Sequence, residues 1–188
     1  MKHVSRWATV VALLLVPSVV LATVVISETI EEMARASHVV VRGRVSQVQP
    51  QLQESSGHIY TYADIQVIEV LKGPKLSSLM VKQPGGELGD RGTHVAGTGK
   101  FSSGQDTVLF LERATDEANV FILRGLAAGK VDLEKSSKGQ LKAVRHLHGL
   151  AFHERTRDPL RVVHPEEDLG PPDVFLSRVR AALSGGAK

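Results

Sequence analysis

The sequence predicts a mainly β protein: a small antiparallel barrel of the OB type, flanked by an N-terminal and a C-terminal helix. Three observations carry this. Runs of four to eight residues rich in β-branched side chains recur at regular spacing, glycine or a polar pair bounds nearly every run, and helical spacing is confined to the two ends.

The first segment is a leader rather than part of the fold. Lys2 and Arg6 precede the uncharged run "WATVVALLLVPSVVLA", and Ala22 follows Val20 by two positions. This is the order of basic region, apolar region and small cleavage residue in a secretory signal peptide. Cleavage is expected between Ala22 and Thr23, so that residues 1–22 are signal and 23–188 one barrel domain with a helical extension over about 172–184. The charge-free run also continues through "TVVI" to Ile26, approaching the ~20 residues that span a bilayer. That length keeps open an uncleaved anchor in the inner membrane. Either way the remainder is expected to be exported, periplasmic or extracellular, and after cleavage to leave the membrane.

From residue 28 onward each element has its own signal. "SETIEEMARAS" puts Ile30, Met33 and Ala34 on one helical face, with Thr29 and Glu32 in capping-box spacing. In "HVVVRGRVSQVQ" apolar and polar residues alternate as in a half-buried strand, with Gly43 at a bulge. "PQLQESSGH" reads as loop, "IYTYADIQVIEVLKG" as the longest strand, stopped by Gly73 and Pro74. "SLMVKQ", "HVAGTGKF", "DTVLFLER", "NVFILRGL" and "GKVDLE" follow as short strands. "QLKAVRHLHGLAFHE" supplies one or two edge strands and "RTRDPLRVVHPEEDLGPP" an irregular connection. The last helix, "DVFLSRVRAAL", begins at Asp173 and turns Val174, Leu176, Val179 and Leu183 to one side.

Composition narrows the function classes. There is no cysteine, so core burial must stabilise the exported domain without disulfides, and a lipobox anchor is excluded. The 166 residues left after the signal are enough for one well-buried domain. Loss of Lys2 and Arg6 leaves 21 basic against 20 acidic residues, so bulk charge does not favour nucleic acid. Tyr60 and Tyr62 share a strand face and suit base stacking, but equally a cross-strand pair. No nucleic-acid partner is expected.

The stretch "QPGGELGDRGTHVAGTGKFSSGQD" holds seven glycines. It does not fit a phosphate loop, because Phe101 follows Gly99 and Lys100 where a hydroxyl residue is required, and His94 replaces the first glycine. Its glycines are expected to turn corners.

Three segments, "ASHVVVRGRVSQV", "ADIQVIEVLKGPK" and "VAGTGKFSSGQDTVLFLE", together resemble the netrin-like domain, the OB-type barrel of the tissue inhibitors of metalloproteinases, and uncharacterised exported proteins of Gram-negative bacteria of that kind. The likeness covers roughly residues 28 to 135. It implies a small closed or partly open barrel. Protease inhibition does not carry over, because those inhibitors act through an N-terminal cysteine that this chain lacks.

The remaining candidate chemistry is "RHLHGLAFHE". Its His146 and His148 suit one zinc or copper ion if both lie on one strand face, with His153 as third ligand after a turn at Gly149. Glu154 follows His153 directly, but no HExxH helix accompanies the cluster, so solvated edge histidines, or packing histidines bonded to a backbone carbonyl, are the plainer reading. Neither the paired serines at Ser55-Ser56 and Ser102-Ser103 nor the pairs Glu31-Glu32 and Glu166-Glu167 suggest catalysis. The leading expectation is a non-enzymatic binding module for a protein or envelope partner, with no cofactor, offering loops around 50–58 and 84–94. A metal carrier or metal-dependent hydrolase using His146, His148 and His153 is the alternative, and a matrix or coat component a third.

Overall fold

The computed structural model describes residues 23–114, 117, 119–153, 161–162 and 165–185. The expected signal segment with Ala22 lies outside them, as do Glu154 and His164.

The chain is mainly β. Strand β1 (Thr23–Ile26) leads into helix α1 (Ile30–Ala36), then β2 (Val39–Gln53), β3 (His58–Lys72), β4 (Ser78–Pro84) and a small hairpin of β5 (Gly86–Leu88) and β6 (Arg91–Thr93). Then come β7 (Asp106–Arg113), β8 (Val120–Leu123), a 3-10 turn (Leu126–Gly129), β9 (Lys130–Lys135), β10 (Leu141–His146), β11 (Leu150–His153), β12 (Arg161–Val162), β13 (Glu166–Asp168) and helix α2 (Pro172–Ser184). The expected capping box is formed: the Glu32 amide donates to Thr29 Oγ1 (3.1 Å) and the Thr29 amide to the Glu32 carboxylate (2.9 Å). Thr29→Ala is therefore expected to lower stability by about 1 kcal/mol, read from a urea unfolding midpoint.

Eight strands form one mixed sheet in the order β13-β10-β9-β7-β2-β3-β4-β8, and β8 pairs again with β7. The pairings β7–β2–β3–β4–β8–β7 thus make a circuit of five strands. Four of its pairs are antiparallel and β4–β8 is parallel. This corrects the all-antiparallel expectation for a simple reason: strand direction cannot alternate all the way round an odd circuit. A separate sheet pairs β1 with β11 in parallel and β11 with β12.

Two cores sit on opposite faces of β7. Leu109 and Leu111 pack with Val39, Val41 and Val45 of β2, Ala63 and Ile65 of β3, Leu79 and Val81 of β4, and Phe121 and Leu123 of β8. All five strands of the circuit contribute. Val108 and Phe110 point the other way, to Ile30, Met33, Val131, Leu133, Ala143, Phe175 and Val179, where α1 and α2 cover the β9–β10 extension.

Four further sequence expectations change. Strand β2 runs through Pro50 to Gln53, where the sequence predicts loop, because pairing with His58–Thr61 carries the ladder past the proline. Residues 94–101 form no strand: Gly97 has φ +80° and lies so close to Leu150 that a Cβ would come within 2.3 Å of its Cδ2, contact that needs a turn rather than an extended run. The connection after residue 154 contains β12 and β13. In α2 the buried residues are Phe175, Leu176, Val179 and Ala182, whereas Val174 is exposed, because the helix starts after Pro171 and docks one position round from the predicted face. The bulge at Gly43 is present, as a register shift between Arg42 and Gly43.

Candidate functional site

On β10 the alternation of a strand puts Lys142, Val144 and His146 on one face and Ala143 and Arg145 on the other. The neighbouring strands extend both faces. β9 sets Asp132 opposite Val144 and Glu134 opposite Lys142, while β13 sets Glu166 opposite His146 and Asp168 opposite Val144. His146 consequently sits among three carboxylates. Its Nε2 lies 3.4 Å from Glu134 Oε2 and 3.8 Å from Asp132 Oδ2, and its Nδ1 lies 3.5 Å from Glu166 Oε1. The ring of His148 stacks against that of His146, centroids 6.4 Å apart and planes inclined by 12°.

His146 and His148 come together, but His148 lies beyond the end of β10, in the turn at Gly149 that the sequence anticipated. His153 ends β11, and its side chain lies outside the described residues. The acids that meet His146 come from other strands, through the sheet register. The pair Glu166-Glu167 is split by the strand it forms: Glu166 faces His146, and Glu167 faces the buried Arg145, whose guanidinium donates to it.

Beneath His146 lies an ion pair shut off from water. Lys130 Nζ donates to both oxygens of Asp132 at 2.6 Å, with the two side chains only 4% and 3% exposed. The same ammonium lies 5.2 Å from the centre of the Phe101 ring. Burial pushes Lys130 below the ordinary lysine value, against the upward pull of Asp132. At the rim, Lys142 pairs with Asp168 and holds its carboxyl below the usual range.

Tyr60 and Tyr62 are engaged within the protein. Lys82, opposite Tyr62 on β4, places its ammonium 4.4 Å from the Tyr60 ring centre and 5.9 Å from that of Tyr62. Glu117 closes the group, accepting from Lys82 Nζ at 2.5 Å and from the Tyr62 hydroxyl at 2.9 Å. Burial, then the bond to Glu117, raises the Tyr62 pKa. Sequence reasoning found the tyrosines and missed Lys82 and Glu117, whose partners are distant along the chain.

The glycine-rich stretch turns corners as expected and also docks. The Gly85 amide donates to the Ile59 carbonyl (2.9 Å) and Thr61 Oγ1 donates to the Gly85 carbonyl (2.7 Å). Gly86, at φ +146°, lies so close to Thr61, Ile59 and Pro50 that a Cβ would stand 2.7 Å from Thr61 Oγ1. The β5–β6 hairpin is thereby seated against the outer half of β2 and β3. Ser103 donates to the Ser46 carbonyl at 2.8 Å, and Ser56 lies in the turn at the tip of the β2–β3 hairpin. Both serines serve turns. No protein-family model and no curated protein matches the chain.

Proposed function

We propose that the chain is an exported, non-enzymatic binding module that receives an extended segment of a protein or envelope partner on the outer half of its β2–β3 hairpin. The observation that carries this is the joining of two surfaces far apart in sequence. Residues 50–58 and 84–94, each a candidate on its own, meet where Gly86 packs on Pro50, Ile59 and Thr61. Beside them β2 pairs with β7 only over Val39–Arg44, so among the described residues the stretch 47–53 has a sheet partner on one side alone. An unpaired strand edge with exposed side chains such as Gln51 and Leu52 is a template for strand addition, in which main-chain bonds give affinity and alternate side chains give selectivity.

The scaffold belongs to the same reading. We take the five-strand circuit to be an OB-type barrel akin to the netrin-like domain, supported by its odd closed pairing order, its parallel β4–β8 pair and a core drawn from all five strands. Export is supported by the basic and apolar order of the first 22 residues. Thr23–Ile26, which the anchor reading needs as part of a membrane span, instead pair as a strand with Leu150–His153. Among the described residues no helix is long and apolar enough to cross a membrane.

A photo-crosslinking residue placed at Gln51, at Leu88 and at Ser177 tests the site in the intact cell envelope. The reading predicts a discrete adduct of the same mass from positions 51 and 88 and none from 177, an exposed position on α2. Equal labelling at all three, or none at 51, ends it.

A further inference from the structure

The face formed by β9, β10 and β13 carries chemistry that the hairpin surface does not use. Two overlapping sets of side chains there bring their donor atoms within 4.8 Å of one another: His146 with His148 and Glu166, and His146 with Asp132 and Glu134. We infer that His146, His148 and Glu166 bind one divalent ion of the zinc or copper class, with His146 Nδ1 on the metal and its Nε2–H held by Glu134.

Geometry and charge choose between the sets. Asp132 is almost wholly buried and both its oxygens already contact the Lys130 ammonium at 2.6 Å. A cation entering there would meet the Lys130 ammonium, which already holds both Asp132 oxygens. His148 and Glu166, by contrast, are exposed and move without disturbing the core. A tetrahedral ion with ligands at about 2.0–2.1 Å sets its donors roughly 3.3 Å apart. Glu166 Oε1 and His146 Nδ1 already stand at 3.5 Å, and rotation of the His148 and Glu166 side chains supplies the rest.

The second set then has its own part. With Nδ1 on the metal, Nε2 must carry the proton, and that nitrogen faces Glu134 at 3.4 Å and Asp132 at 3.8 Å. A carboxylate accepting the far N–H of a ligating histidine fixes its tautomer and raises its basicity, which strengthens the metal bond. Lys130 holds Asp132 in place behind that ring through bonds to both of its oxygens. Two imidazoles and one carboxylate suit zinc or copper, whereas calcium and magnesium take oxygen donors. Three protein ligands leave a fourth position open, and Glu166 also borders a groove of about 400 Å³ shared with Glu134, Lys142 and Asp168.

The test is a zinc titration of the purified full chain against a chromophoric chelator, paired with thermal unfolding in zinc, copper(II) or EDTA. One ion per chain is expected, with a midpoint raised by about 5–10 °C when zinc is at 100 times its Kd. His148→Ala should weaken binding by at least about 100-fold, and Glu134→Gln by about 10–100-fold with the stoichiometry kept. His38→Ala, away from the cluster, should leave it unchanged. Identical unfolding curves in metal and EDTA overturn the proposal. So does binding that survives His148→Ala intact, including the case in which Asp132→Asn abolishes it, which would assign the ion to the other set.

Discussion

Asp132→Ala is expected to lower the unfolding free energy by about 3–5 kcal/mol, measured by urea denaturation in EDTA so that metal plays no part. The loss comes mainly from what remains. Lys130 would keep its charge in a site 4% exposed, with the Phe101 ring nearby and no anion against its ammonium. Replacing both partners, as Lys130→Met with Asp132→Leu, should return stability to within about 1 kcal/mol of the parent or exceed it, because a well-packed apolar pair carries no desolvation penalty. The sign of the pH response is also fixed. Lys130 titrates below its unfolded value because burial disfavours its charge, so in Asp132→Ala the deficit is full at low pH and shrinks as pH rises through the folded value of the lysine. A deficit under about 1 kcal/mol, or one that grows toward alkaline pH, would mean that water reaches the pair.

Phe175→Ala is expected to cost about 3–5 kcal/mol as well, by a different route. Phe175 is fully buried and inserts from α2 into the core formed by Met33, Phe110, Val131 and Ala143. The helix α1 that packs beside it is held by its capping box and by the Glu31–Arg178 contact, which limits collapse into the space left. Amide exchange should separate the two cores: protection in α2 and α1 falls first, while that of Val41, Ile65 and Leu109 in the circuit tracks global unfolding. Substitution of exposed Val174 by Ala should cost under about 0.5 kcal/mol. Equal losses at positions 174 and 175 would restore the helical face predicted from sequence.

The contrast at Val174 and Phe175 marks how far the sequence could be read. Strands such as Asp106–Arg113 were legible because they are continuous apolar runs between turn residues, and α1 because Thr29 and Glu32 declare its start. The face of α2 was ambiguous, since apolar residues at 174, 175, 176 and 179 fit two overlapping stripes and only docking decides between them. Pro50 masked the outer half of β2, because proline is read as a strand breaker and the ladder tolerates it only where the neighbouring strand pairs around it. The histidine cluster was half visible. Spacing brought His146 and His148 together, but Asp132, Glu134 and Glu166 reach them across two strand pairings, a relation set by register rather than by any local pattern. Lys82 with Glu117 was hidden for the same reason.

The parallel pairing of Thr23–Ile26 with Leu150–His153 has a consequence for the order of events in folding. The chain is made from its N-terminus, so β1, the first strand among the described residues, waits for a partner far along the chain. Hairpin β2–β3 needs only a four-residue turn between its strands and can nucleate as soon as both are free. The N-terminal strand, in contrast, closes a loop over most of the chain and carries its entropic cost alone. Folding is therefore expected to start at the hairpin, with the docking of β1 among its late steps.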